Sequence, residues 1–173
     1  MVNPVGKMTE SKYPITSGYG WRIHPIDNIS DWHNAIDIAA PEGTDVRSAW
    51  DGVVTSSRMS TMGGGNVIDI LHDNGLSTSY MHLYLRHVNK GQRVRAGDII
   101  GSVGQTGSAT GPHLHFSIKD RAGNKFDPTE CYNKSVRVTP YGSSFGIDKS
   151  IPRWVPWTLL GLGVGSITRS EEH

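Results

Sequence analysis

The 21 glycines of this 173-residue chain, set between short runs of Val, Ile and Thr, constrain its fold more than any other feature. Punctuation this frequent leaves no room for a long helical period and reads as many short strands joined by tight turns. Val67 to His72 and Ser77 to His82 are two strand-like runs, and Asp73-Asn74-Gly75 between them is a hairpin signal. Asp51-Gly52 marks a second turn, and Ala96-Gly97-Asp98 a third within the β-type stretch Val94 to Val103. Gly101 to Gly111 reads as a loop of Gly, Ser and Thr. From His113 to Ile118 the apolar residues Leu114, Phe116 and Ile118 alternate with His113, His115 and Ser117. Period two therefore predicts one core face and one face carrying both histidines. The expected class is mainly β.

Length allows one domain with a real core plus a tail. Seventeen Lys and Arg against 16 Asp and Glu leave a formal charge of +1, which supplies no long-range field for nucleic acid or an anionic membrane. No nucleic-acid partner is expected, and partner choice must come from a local site. The Gly101 to Gly111 loop lacks the Lys-Ser/Thr ending of a phosphate loop, which argues against nucleotide binding. The single cysteine, Cys131, excludes an intrachain disulfide and is expected to be a small buried apolar residue. Met1 to Pro14 contains no apolar run of the kind a secretory signal needs. Trp154 to Ile167 is apolar, but it holds Pro156 and three glycines and falls short of the roughly 20 residues of a spanning helix.

Three separated segments suggest one chemical site. In His33-Asn34-Ala35-Ile36-Asp37, Ile36 and Ile38 can face a core while Asp37 points the other way. Tyr80-Met81-His82-Leu83 closes the hairpin, and Gly111-Pro112-His113-Leu114-His115-Phe116 opens the next strand. Together they offer four imidazoles and one carboxylate. Zinc suits that inventory, because it favours His nitrogen with an occasional carboxylate, and its catalytic sites use three protein ligands and keep one position for water. Such an ion lowers the pKa of its water to about 7 and polarises a scissile carbonyl, while neighbouring imidazoles can move the protons. The ordinary reading of a lone histidine is structural or superficial, and it is applied to His24, His72, His87 and His173. His24 is also placed as a groove-lining residue, and Tyr80 as either a groove residue or a packing aromatic.

These motifs resemble the lysostaphin/LytM-type zinc metallopeptidases of bacterial cell walls. His33-x-x-x-Asp37, Tyr80-x-His82-Leu83 and His113-x-His115 stand in the family's order. Gly20-Trp21-Arg22-Ile23-His24-Pro25, Pro41-x-Gly43-Thr44-x-Val46 and Val94-x-Ala96-Gly97-Asp98-x-Ile100-Gly101 agree around them. The resemblance runs from about Ile15 to Pro128 and implies a compact antiparallel β-sheet domain with a loop-bounded groove over 15–135. An N-terminal arm, 1–14, would precede it, and a linker with an irregular apolar tail, 136–173, would follow. It implies one Zn²⁺ per chain held by His33, Asp37 and His115, with His82 and His113 catalytic and a peptidoglycan peptide as substrate. Ala35 departs from the family's usual glycine and Ser117 from its usual acidic residue. The short N-terminal arm implies a site with no latency segment.

The expected activity is endopeptidase cleavage of peptidoglycan stem peptides or cross-bridges. The competing readings are a non-catalytic wall-binding or activator module, and a structural assembly protein of a virion or secretion machine. Action outside the cytoplasm without a signal peptide implies a mature or truncated chain, release by lysis, or carriage to the wall in a bacteriophage particle or a secretion machine. Carriage in a virion is favoured, with residues 151–167 docking on a virion protein or a membrane interface.

Overall fold

The computed structural model describes residues 1–5, 13–24 and 26–133. The linker and apolar tail expected over 136–173 lie outside the described residues. In chain order the strands are β1 (Ile15–Ser17), β2 (Gly20–Ile23), β3 (Ser30–His33), β4 (Ile36–Ala39), β5 (Asp45–Arg47) and β6 (Gly52–Ser60). They continue with β7 (Gly65–His72), β8 (Ser77–Leu83), β9 (Arg93–Val94), β10 (Ile99–Ser102), β11 (His113–Lys119) and β12 (Lys125–Phe126), before one short helix, α1 (Pro128–Asn133). The mainly β, antiparallel expectation holds. No helix among the described residues is long and apolar enough to cross a membrane.

An eight-stranded sheet runs β1-β4-β11-β8-β7-β6-β9, with β12 paired to β11 off that path. Smaller two-stranded sheets join β5 to β10 and β2 to β3. The period-two pattern of β11 decides what lies beneath the sheet: Leu114, Phe116 and Ile118 are fully buried, whereas His113 and His115 keep partial exposure on the opposite face. Ile36, Ile38, Ile68, Ile70 and Tyr80 join the same core, and Val46 and Ile100 contribute to it from the β5–β10 pair. Burial of one such side chain stabilises the fold by about 1.5–3 kcal/mol. β8 and β11, which carry His82, His113 and His115, are thus anchored in the core. The first residues are stitched in as well: Val5 is buried and bridges Val46, and the Arg47 amide donates to the Pro4 carbonyl at 2.9 Å. Cys131 is buried among apolar side chains as its composition suggested, and burial pushes its thiol pKa up to about 11.

Candidate metal centre

Strand pairing assembles the centre. β4 and β11 are antiparallel neighbours in a register that sets Asp37 directly opposite His115, so carboxylate and imidazole share one face. His33 ends β3, and the Asn34-Ala35 step into β4 folds its ring back over Asp37. His115 Nδ1 lies 2.8 Å from Asp37 Oδ1 and 3.2 Å from His33 Nε2, and His33 Nε2 lies 3.4 Å from Asp37 Oδ1. One ligand atom from each residue falls within 4.8 Å of the others. Donors held about 2.05 Å from a tetrahedral zinc would stand about 3.3 Å apart, so these separations suit that ion with little movement.

The hydrogen bonds at the back of the rings settle which lone pairs are left over. Carbonyls only accept, so the His33 Nδ1–H donates to Gly18 O (2.9 Å), that of His82 to Thr106 O (2.8 Å) and that of His113 to Gly111 O (2.8 Å). Each neutral ring then presents a bare Nε2. His33 turns that nitrogen on Asp37 and His115, and His113 Nε2 stands 3.8 Å from Asp37 Oδ1. The ring of His82 lies 4.8 Å from that of His113 and 5.8 Å from that of His115, centroid to centroid. Convergence of a carboxylate oxygen and several unprotonated nitrogens is a donor set for a divalent cation.

Burial alone would raise the Asp37 pKa, but the His115 and His33 rings packed against the carboxylate hold it well below the usual carboxylate range. Burial pushes the His82 pKa down against the Thr106 carbonyl, and the neighbouring His113 and His115 act in the same direction. The His115 pKa is lowered by burial despite Asp37. Sequence reasoning missed a further participant. Arg22 Nη1 donates to Asp37 Oδ2 at 2.8 Å and to Ser17 Oγ at 2.8 Å, leaving Oδ1 as the carboxylate oxygen that faces the histidines. Alternation along Gly20-Trp21-Arg22-Ile23 was the available signal, because it places Arg22 on the face opposite two apolar neighbours.

His82 reaches the site by breaking alternation. Tyr80 pairs with Phe116 across β8 and β11, and period two would send His82 to the same core face. Two steps along β7, from Asn66 to Ile68, instead match three along β8, from Leu83 to Tyr80, so β8 carries one extra residue. His82 takes φ 62°, a left-handed conformation that costs a non-glycine residue about 1–2 kcal/mol. Its amide is held by the Gly64 carbonyl at 2.9 Å. Two close approaches lock the surroundings: a Cβ on Gly65 would collide with the Thr106 backbone, and one on Gly107 with the Gly63 carbonyl. Both positions have positive φ, so glycine is required twice over.

Tyr80 does not line the groove. It is fully buried, its ring 5.3 Å from that of Phe116, and its hydroxyl accepts from the Ala49 amide at 2.9 Å. The extra residue in β8 sends its neighbour His82 outward and leaves Tyr80 in the core. His24 does line the cleft, which measures about 480 Å³. Ile23, His24 and Ile26 contribute from the β2–β3 hairpin, and Ser108 to Pro112 from the loop before β11. Asp37, His82, His113 and His115 open into it.

The model of Peptidase family M23 matches residues 31–128. The DD-carboxypeptidase/endopeptidase Mpg of Neisseria meningitidis serogroup B is 46% identical over 105 residues, 61% of this chain and 24% of that protein. The peptidoglycan DD-endopeptidase ShyC of Vibrio cholerae is 43% identical over 97 residues, 56% of this chain and 22% of that one. The chain thus spans about a quarter of the length of the curated relatives it matches. The crystallised catalytic domain of lysostaphin from Staphylococcus simulans superposes with a TM-score of 0.65 at 32% identity, covering 70% of this chain and 93% of that domain. Three histidine motifs in order, a sheet that brings them together and a model match over more than half the chain leave one assignment: the chain belongs to peptidase family M23.

Proposed function

We propose that the chain is a zinc-dependent endopeptidase that hydrolyses peptide bonds of bacterial peptidoglycan, in stem peptides or cross-bridges, at a site of action outside the cytoplasm. The observation that carries this reading is the triad His33, Asp37 and His115, whose donor atoms converge within 4.8 Å beside a cleft. These three residues would hold the ion. When bound it would supply Lewis acidity, acidifying a water and polarising the scissile carbonyl. Arg22 orients the ligand set through Asp37 Oδ2. His82 and His113, with Nδ1–H spent on backbone carbonyls, keep Nε2 lone pairs to accept the water's proton and return it to the leaving amine. As imidazolium ions they would also stabilise negative charge on the carbonyl oxygen. The cleft wall from Ser108 to Pro112 carries short side chains, which suits the small residues of wall peptides.

Purified sacculi provide the test. Chelation should abolish release of muropeptides identified by mass spectrometry, zinc should restore it, and His115→Ala should lose bound metal and hydrolysis together. Hydrolysis that persists in His115→Ala without metal would overturn the reading. Carriage to the wall in a virion is supported by the apolar composition of residues 151–167. Deleting residues 150–173 should then abolish particle incorporation while hydrolysis by the purified chain is retained.

A further inference from the structure

The β2–β3 hairpin has two faces with opposite commitments. Its inner face is spent on the metal centre, because Arg22 engages Asp37 there and His33 supplies a ligand atom. The outer face is apolar and open. Trp21 is 73% exposed, Ile23 63%, Ile29 61%, Ile26 51% and Trp32 42%. A strand face turned to water is ordinarily polar, and contiguous exposed apolar side chains mark a binding surface. This hairpin cannot bury that face by turning over, since doing so would withdraw Arg22 and His33 from the centre.

The arrangement of the rings is specific. Trp21 and Trp32 are cross-strand partners with ring centroids 5.6 Å apart at 84°, and Tyr19 meets Trp32 edge-on at 5.6 Å and 83°. Edge-to-face bracing holds each ring still while leaving the outward π-face of Trp21 free. The ridge is also continuous with the cleft, because Ile23 and Ile26 line both.

Size and charge select the occupant. Four-residue strands make a face only about 13 Å long and two strands wide, far below the roughly 800 Å² per partner of a stable protein interface. Between residues 19 and 33 the only Lys or Arg is Arg22, which is already engaged by Asp37 and Ser17, while Asp27 and Asp31 flank the apolar residues. That charge pattern disfavours an anionic lipid surface, which recruits through Lys and Arg. A pyranose ring fits both limits. Its axial C–H bonds form an apolar face that stacks on an aromatic ring, and as an uncharged group it needs no cationic partner.

We propose that the Trp21–Trp32 ridge binds the amino-sugar glycan strand of the wall polymer and guides the attached peptide past Ile23 and Ile26 into the cleft, an inference that rests on the peptidoglycan reading above. The zinc-loaded full chain is titrated with glycan strands stripped of stem peptides by an amidase and then amidated at the freed lactyl carboxylates so that they are uncharged, following tryptophan fluorescence, and its turnover is measured on intact sacculi and on a soluble glycan-free cross-linked peptide. Trp21→Ala should weaken strand binding about tenfold, the scale of losing one anchoring aromatic, and should lower the ratio of sacculus to soluble-peptide turnover to a similar extent. Trp21→Tyr should retain most of both. Trp32, wedged between two rings, is left intact so that folding is preserved.

Equal strand binding by wild type and Trp21→Ala would overturn the proposal. So would a defect of Trp21→Ala confined to phosphatidylglycerol vesicles, or to self-association in sedimentation. A wild-type chain that cleaves the soluble peptide but ignores the strands sinks the ridge alone. One that binds the strands but leaves every wall peptide intact sinks the peptidase reading alone.

Discussion

His72 and His33 are almost equally buried, 2% and 3% exposed, yet their surroundings prepare them for opposite roles. Both ring nitrogens of His72 are spent inside the protein, Nε2 on the Thr78 hydroxyl at 2.7 Å and Nδ1 facing the Asp51 carbonyl at 3.3 Å. Thr78 passes the network on to the Tyr80 hydroxyl at 3.1 Å, which also receives the Ala49 amide. His33 spends one nitrogen on Gly18 and turns the other toward a carboxylate and a second imidazole. Burial therefore does not separate a structural histidine from a candidate ligand. What separates them is whether a nitrogen lone pair remains after the protein's own hydrogen bonds have been counted.

The strongest test of that comparison is functional. His82→Ala or His113→Ala should lower turnover on a cross-linked wall peptide by about 10²–10⁴-fold, with zinc content near one per chain, while His72→Gln should keep turnover in its folded fraction. Equal losses from both kinds of variant would erase the distinction between the two regions. Arg22→Met sharpens it by freeing Asp37 Oδ2. Competition titration against a chromophoric chelator should show zinc affinity reduced by about 10–100-fold.

Acid should act on the His72 region through stability. Burial holds the folded pKa of His72 at about 4, below the ordinary value of 6.5, so below pH 6.5 the unfolded chain binds a proton that the folded chain refuses. The stabilisation is complete above pH 6.5 and is lost as pH falls toward 4, to a total of about 3 kcal/mol. Urea melts of the metal-free protein across that range would show it, and His72→Gln should flatten the slope. A smaller effect is expected from Gly65→Ala. The left-handed backbone alone costs about 1–2 kcal/mol, and the collision with Thr106 should displace the carbonyl that holds His82, lowering turnover more than the stability loss explains.

Much of this was legible in the chain. Alternation in His113 to Ile118 separated Leu114, Phe116 and Ile118 from the two histidines, and the same period in Ile36-Asp37-Ile38 turned Asp37 away from the core. Both expectations rest on local geometry, because successive side chains of any strand point to opposite faces. The Asp73-Asn74-Gly75 turn was readable for a similar reason. Tyr80 and His82 were harder to separate. They lie two residues apart, and only the extra residue in β8, set by its pairing with β7, sends one inward and the other to the cleft.

By itself the sequence determined the strand-rich class and the core face of β11, since each follows from neighbours within a few positions, and it offered four histidines and one aspartate as candidates for a metal. Tertiary structure decided which lone pairs stay unspent, that Arg22 takes the second oxygen of Asp37, and that Trp21 and Trp32 pair on the open face of the same hairpin. Those outcomes depend on register between strands and on carbonyls up to 24 residues away, such as Thr106 behind His82. Such pairings are fixed by the packing of the whole sheet, and no local pattern encodes them.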